Sequence, residues 1–314
     1  MGRGRFRSII VSEGESDLWI GWNGGLLTGP GSKQQPGGQA EPGGPLSEVL
    51  AGTEVPTQKV LQSDPLEQEI RRQAAALLHR LRANIQEYTK VHPDFLTSLD
   101  PLPADPDAPE PVRSMLTAAL AAGVGPMAAV AGAIAEALGR ALQDHFHFNE
   151  LVIENGGDYW LLVQEPLPVL VYAGLSSLSE KVSVVVAPEQ SPCGLACSSG
   201  TVGPSLSFGK ADAALVLAPA AAAADAWATA LGNRLRFQSD LAPAVEELIN
   251  GTKVPPLVTH TAHRGTVDPM AMAAYNYLWD EGTTAPTAKA AYYPLGALAI
   301  MGDKLAACGA IRLG

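Results

Sequence analysis

The chain has 314 residues, 46% of them hydrophobic, and a formal net charge of −11 at pH 7. The hydrophobic share excludes a disordered chain and can fill at least one sizeable core. The negative balance excludes duplex nucleic acid as the expected partner, because such binding needs a positive surface to displace counterions. A small anionic ligand stays open, since a local patch can oppose the global sign.

The chain opens on Met-Gly-Arg-Gly-Arg-Phe-Arg, but the apolar run that follows stops at Ser12 and Glu13. That is too short for a secretory core. Ala118–Ala135 is interrupted by Gly-Val-Gly-Pro, so a cytoplasmic protein without a membrane span is expected. Arg5–Trp22 reads as a hairpin, with Phe6–Val11 and Asp17–Trp22 flanking the turn Glu13-Gly14-Glu15-Ser16. Asn23–Pro45 is dominated by Gly, Pro, Gln and Ser and reads as a mobile excursion.

Pro65–Thr89 is the strongest helix. Asp64 can cap it, Pro65 fits its first turn, and Leu66, Ile70, Leu77, Leu81, Ile85 and Tyr88 form an apolar stripe. Arg71, Arg72, Arg80 and Arg82 lie off the stripe, on an expected solvated face. Leu99–Pro111 is a Pro/Asp-rich loop, and Val112–Ala122 a short helix. A further helix starts at Gly125 and Pro126, with Met127, Val130, Ile134, Leu138 and Leu142 on one face. Its other positions are mostly Ala or Gly, which fits a central helix buried under a sheet or against a ligand. Gly123-x-Gly125-x-x-Ala128 has the spacing of a relaxed dinucleotide fingerprint. That motif needs a strand in front of it, and here the preceding residues read as helix.

Glu150–Glu154 and Tyr159–Gln164 read as strands joined by Asn155-Gly156-Gly157-Asp158. Asn-Gly favours a tight hairpin turn. The same bend would let backbone approach a ligand, with Asn155 and Asp158 beside it, and both readings can hold together. Strands are expected at Pro168–Tyr172 and Lys181–Ala187. Cys197–Asp212 is nearly all small residues and hydroxyls, with one lysine, Lys210. It reads either as a turn-rich loop or as a segment whose N–H groups and hydroxyls meet anionic oxygens. It is not a phosphate loop: five residues separate Gly203 from Gly209, and Ala211 stands where Ser or Thr belongs. No Gly-x-Ser-x-Gly elbow surrounds Ser205 or Ser207.

Ala213–Ala218 reads as a buried strand, Pro219–Arg236 as a helix, Leu241–Ile249 as a short helix, and Leu295–Leu313 as a hairpin around Gly302-Asp303. Asp225 and Thr229 are four apart and share one helix face. An Asp/Thr oxygen pair suits Mg²⁺, and the competing reading is an Asp placed for the helix dipole. Thr252–Tyr293 resists assignment. His260 with His263, and His145 with His147, lack the further ligands of a zinc site. Cys193, Cys197 and Cys308 read as reduced thiols, with no neighbouring histidine to activate Cys197. Strands and helices mix without a regular repeat, so the expected fold is α+β, a largely antiparallel sheet packed with helices, one of them buried and Ala/Gly-rich. A single domain over residues 1–314 is expected, with residues 23–45 as the excursion and 252–293 as an insertion.

Three segments together resemble the ApbE-like protein family of bacteria and archaea, a branch of the superfamily that contains FAD:protein FMN transferase. They are Gly125–Glu136 (GPMAAVAGAIAE), Glu154–Asp158 (ENGGD), and Cys197–Asp212 with Ala224–Leu231 (ADAWATAL). The resemblance spans most of Leu66–Ile249 and the closing Gly302-Asp303-Lys304, and implies an ApbE-like (T-fold-like) sheet. It implies FAD or a related flavin as ligand, with Asn155, Gly156, Gly157 and Asp158 on the flavin side. Ser198, Ser199, Gly200 and Thr201 would line the nucleotide, and Asp225 and Thr229 would hold Mg²⁺ beside the diphosphate. One departure matters. The transferases carry a His-x-x-Asp-Pro-like motif soon after their Ser-Gly segment, and Gly203–Lys210 contains no histidine. The expectation is therefore a flavin- or nucleotide-binding protein. A Mg²⁺-dependent transferase or hydrolase acting on a flavin or diphosphate, and a non-catalytic interaction domain, are the alternatives. The expected partner is an anionic small molecule or nucleotide, without nucleic acid or membrane, and homo-oligomerisation stays open.

Overall fold

The computed structural model describes residues 4–25, 64–203, 207–251 and 292–314. The excursion beyond residue 25, residues 204–206 and nearly all of the expected insertion, with His260 and His263, lie outside them.

β1 (Arg7–Glu13) and β2 (Ser16–Gly24) form the expected opening hairpin. α1 (Pro65–Val91) begins as its sequence requires: Pro65 stands in the first turn and Asp64 accepts from the Leu66 N–H at 2.9 Å. Its buried residues are Ile70, Ala74, Leu78, Leu81 and Ile85. Leu77, expected on the stripe, is only half-buried. It sits one position, about 100°, off the four-and-three spacing that faces the core. Arg82 is likewise not a solvated side chain; it reaches across to Ser16 Oγ at 2.7 Å and Glu15 at 2.6 Å and fastens the β1–β2 turn.

After a single turn, α2 (Asp94–Thr97), come α3 (Val112–Ala122), a 3₁₀ turn at Pro126–Ala129, and α4 (Val130–Phe146). The helix in front of Gly123–Ala128 removes the dinucleotide fingerprint for the reason the sequence offers. Then follow β3 (Phe148–Asn155), β4 (Asp158–Leu162), β5 (Leu167–Leu170), β6 (Ser183–Val186), β7 (Cys193–Ser198) and β8 (Ala213–Ala218). α5 (Ala221–Arg234), α6 (Leu241–Gly251), β9 (Gly296–Met301) and β10 (Lys304–Gly309) complete the order. Beyond shifts of a few residues at element ends, two differences from the sequence expectation have a tertiary cause. β7 is a strand although Cys, Gly, Ala and Ser favour strands little; it forms because β4 and β8 pair with it from both sides. α5 starts at Ala221 and not at Pro219, because Ala218 is still paired opposite Gly194 and Ala220 is extended.

The main sheet has the order β1-β2-β3-β4-β7-β8-β9-β10 with every neighbour antiparallel, and β5–β6 make a separate pair. The fold is α+β with an antiparallel sheet. Strand alternation sorts its two faces by size. Ala196, Ala214, Val216, Ala218, Ala297 and Ala299 join the core shared with the helices. Leu195, Leu215, Leu217, Leu298 and Ile300 pack on the other side with Leu167, Val169, Val184 and Val186 of the β5–β6 pair. Over β7–β9 the helix side is thus built of small side chains, while β2–β4 give the same core Leu18, Ile20, Trp22, Leu151, Ile153 and Trp160. α5, itself half alanine and with ten buried residues, lies close over β7 and β8. No single helix among the described residues is long and apolar enough to cross a membrane.

Candidate functional site

The β3–β4 loop is a two-residue turn. Gly156 and Gly157 have φ of 65° and 103°, the left-handed side on which only glycine sits freely. No atom lies within 4 Å of where a Cβ on either would stand, so the turn is open on its outer side. Its flanking side chains turn inward. Asn155 Nδ2 donates to the Ala131 carbonyl at 3.1 Å, and Asp158 Oδ1 accepts from the Cys197 N–H at 3.2 Å. Glu154 accepts from the Gly157 N–H at 2.8 Å. The hairpin turn is therefore joined to the start of α4 and the end of β7.

Asp225 completes this junction. Its Oδ2 accepts from the Gly132 N–H at 2.9 Å, and the carboxylate is held by the Ala131 N–H as well. Both donors belong to the first turn of α4, where N–H groups have no partner within the helix. Ala129, at the N-cap, has no oxygen to offer them. Asp225 therefore serves the dipole of a neighbouring helix and not that of its own. The contact is close because Gly132 lacks a side chain; its Cβ would lie 2.9 Å from Asp225 Cβ.

The electrostatics are unusual for two acids so near each other. Burial pushes Asp225 up to about 7, against the pull of its N–H donors. Burial, and then the charge of Asp225, hold Asp158 well above the usual carboxylate range. Burial also raises Glu154, opposed by the Gly157 N–H. Among the described residues neither Asp158 nor Asp225 forms an ion pair with Lys or Arg. Thr229 is partly exposed, and with Gly232 it continues the Asp225 face of α5. A Cβ on Gly232 would stand 3.3 Å from Ser198 Oγ, so this face runs from the α4 start to the end of β7.

The rest of the small-residue loop is already occupied with itself. Ser199 Oγ accepts from the N–H groups of Thr201 at 3.1 Å and Val202 at 3.0 Å, and Gly200 N–H donates to the Ala211 carbonyl at 2.9 Å. Thr201 Oγ1 donates to Asp212 Oδ1 at 2.9 Å, while Asp212 Oδ2 accepts from the Gly302 N–H at 2.7 Å. The structure thus brings Asn155, Asp158 and Asp225 together at the start of α4, with Ser198 beside Gly232 of α5 and Thr229 one helical turn after Asp225. Ser199, Gly200 and Thr201 stand farther along, in a turn tied to the β9–β10 hairpin. For this stretch the turn-rich reading describes the bonds seen. Sequence reasoning missed the Ala131 and Gly132 N–H groups. The glycine inside an otherwise regular helical run was the available signal.

Cys197 is no nucleophile in this setting. Burial and then the charge of Asp158 push its thiol up to about 12, and burial does the same to Cys193. Cys197 and Cys308 are both partly exposed and Cys193 is buried, so iodoacetamide at pH 8 is expected to label Cys308 first and to spare Cys197 for its raised thiol and Cys193 for its burial as well. Peptide mass mapping checks this, and early labelling of Cys197 would contradict it.

The donor set bears on what could bind. Among the described residues no three His, Cys, Asp or Glu side chains converge as a metal cage. One buried and one partly buried carboxylate, neither with a Lys or Arg partner, and a hydroxyl one helical turn along α5 fit a hard divalent cation that keeps water or phosphate oxygens in its shell, as Mg²⁺ does. They do not fit a closed zinc site. The open Gly156-Gly157 turn fits close approach of a flat ligand to backbone.

A profile of the family described as AbpE bacteria matches residues 50–250. A UPF0280 protein of Methanocella arvoryzae is 41% identical over 175 residues, 54% of this chain and 69% of its own length. One from Methanosphaerula palustris is 46% identical over 155 residues, 49% of this chain and 65% of its own. One from Methanocaldococcus jannaschii is 40% identical over 181 residues, 57% of this chain and 70% of its own. The matched stretch is thus about two-thirds of these relatives. A mutant form of the flavin transferase ApbE from Vibrio cholerae aligns over 96% of this chain and 97% of its own, with a TM-score of 0.35 and 12% identity. That likeness is too slight to carry an argument.

Proposed function

The chain belongs to the AbpE bacteria family, and from that premise we propose that it binds a flavin or related nucleotide, with Mg²⁺, where the Gly156-Gly157 turn meets Asp158 and Asp225. This is the family to which the three sequence segments point. The observation that carries the reading is a buried carboxylate, Asp158, beside a partly buried one, Asp225, without a cationic partner among the described residues and next to a turn open to solvent. A buried anion pair gains most from a divalent cation, and a diphosphate is a ligand that brings one.

In this reading Asp225, Asp158 and Thr229 hold the cation, and the Gly156-Gly157 backbone lies against the flavin ring. Ser198, beside Gly232 of α5, stands at the end of β7 on the same side. Bound Mg²⁺ would neutralise diphosphate charge and polarise a phosphate oxygen. The lack of a histidine in Gly203–Lys210 weighs toward binding over transfer.

The test is a thermal shift series with FAD, FMN and ADP, each with and without Mg²⁺. A ligand at about one hundred times its Kd adds roughly 2.7 kcal/mol, which is a rise of about 5 °C or more for a domain of this size. FAD with Mg²⁺ is expected to give it, and Asp225→Ala to abolish it. No shift with any of the three nucleotides would overturn the reading. Release of AMP from FAD would convert it to a hydrolase where free FMN accumulates and to a transferase where FMN is found covalently attached to an acceptor.

A further inference from the structure

α5 has the same deficiency as α4. Its N-cap is Ala220, which has no side-chain oxygen, so its first N–H groups need an acceptor from elsewhere. Glu136 of α4 supplies it. Glu136 Oε2 accepts from the Ala221 N–H at 2.7 Å and lies 3.5 Å from the Ala222 nitrogen, while Oε1 accepts from Arg140 Nε at 2.9 Å and Nη2 at 2.7 Å. The Glu136 residue is only 9% exposed. A buried carboxylate is tolerable here because its oxygens face a guanidinium and a helix N-terminus.

The two helices therefore cap each other. Asp225 of α5 holds the first turn of α4, and Glu136 of α4 holds the first turn of α5. Gly132 and Glu136 are four apart, as are Ala221 and Asp225, so the two bonds are one helical turn, about 5.4 Å, from each other. Between them Gly132 packs on the Ala221 carbonyl with no side chain in the gap. One such bond would leave α5 free to slide or rotate against α4; two bonds fix both its height and its rotation.

We propose that Glu136 is a positioning residue for the candidate site, setting where Asp225 and Thr229 stand against Gly132 by anchoring the start of α5. The proposal rests on reading Asp225 as the carboxylate that anchors the ligand. Arg140, half exposed, orients Glu136 from the outer side of α4. The hydrogen bonds of Glu136 go to Arg140, Ala221 and Ala222 and not to Asp225 or Thr229, so its influence passes through the backbone of α5.

Glu136→Gln keeps the shape but replaces an acceptor oxygen by an amide that donates. Amide hydrogen exchange on the full chain reads the result. The Gly132 N–H is expected to lose at least tenfold in protection, beyond the loss in an Ile20→Ala core variant of matched melting temperature. Arg140→Gln, a milder change should Glu136→Gln fail to fold, is expected to move the same amide in the same direction by less. Mg²⁺ titration calorimetry on wild type, Asp225→Asn and Glu136→Gln then addresses the site, with at least tenfold weaker binding expected for both variants. Gly132 protection no worse than in the core variant, or unchanged Mg²⁺ affinity in Glu136→Gln, would overturn the positioning role. A wild type that binds no Mg²⁺ would instead sink the cation reading, while the Gly132 amide would still decide whether Glu136 positions α5.

Discussion

Asp225→Asn is expected to raise the melting temperature of the ligand-free protein at pH 8 by on the order of 5–10 °C, with the gain shrinking toward nothing near pH 4. The reason is the direction in which burial moves the carboxyl. Asp225 goes from 3.8 to about 7 on folding. A raised acid favours the folded state only while it can stay protonated. Its contribution is whole below about 4, declines as the pH climbs through the interval, and is lost above about 7. At about 1.4 kcal/mol per unit, the full interval corresponds to on the order of 4 kcal/mol. Asparagine keeps an oxygen for the Gly132 N–H and carries no charge, so it escapes the penalty. It also removes the repulsion that adds to the upward shift of Asp158. Wild type should accordingly lose stability between pH 5 and pH 8, and Mg²⁺ should restore more of it at pH 8 than at pH 5. Melting curves across that range check each point. Equal pH dependence in wild type and Asp225→Asn would contradict the argument.

Gly132→Ala and Gly194→Ala are expected to be strongly damaging single-methyl changes, in the same group as Gly125→Ala and Gly209→Ala, whose Cβ would also run into backbone oxygens. A Cβ on Gly132 would collide with the Ala221 carbonyl oxygen, and one on Gly194 with Ala221 Cα, with Ala220 O at 2.8 Å. Both obstacles are backbone, which cannot rotate away as a side chain can. Overpacking a core costs about 1–3 kcal/mol when side chains can adjust, and these positions belong at or beyond the upper end. For Gly132 the higher helix preference of alanine would return about 1 kcal/mol, too little to offset the collision. Gly156→Ala makes the comparison. It meets only the strain of a positive φ, in open space, and should cost about 1 kcal/mol. Urea denaturation of the three variants should therefore place Gly132→Ala and Gly194→Ala well below Gly156→Ala. If all three fall together, α5 is not held as closely as the structure shows.

Much of the fold was legible because it is written in local patterns. The Asp64–Pro65 start, the period of Ile70, Leu81 and Ile85, and the limits Val112–Ala122 and Ala213–Ala218 follow from propensity, capping and alternation. β7 was not legible, because its residues become a strand only between two partners. Within the site, the Asn155–Asp158 turn was legible from two adjacent glycines, which few other structures require. Asp225 was legible as a residue but not in its role. The spacing of Asp225 and Thr229 predicts a shared face and says nothing about the Gly132 and Ala131 donors that face it. The Ser199–Thr201 hydroxyls looked available in the sequence, yet they are engaged by Asp212 and by the loop's own N–H groups.

By itself, then, the sequence determined the α+β class, the antiparallel hairpins, the open glycine turn and the family. These depend on residue type at short separations, where steric limits and hydrogen-bonding capacity act within a few residues. Only the tertiary structure decided that Asp158 and Asp225 meet, that α4 and α5 cap one another, and that small residues cover one face of the sheet opposite α5. Those outcomes depend on groups 67 to 93 positions apart, such as Asp158 with Asp225 and Gly132 with Asp225. Their partners are chosen by the packing of two helices against a sheet, which no local rule specifies.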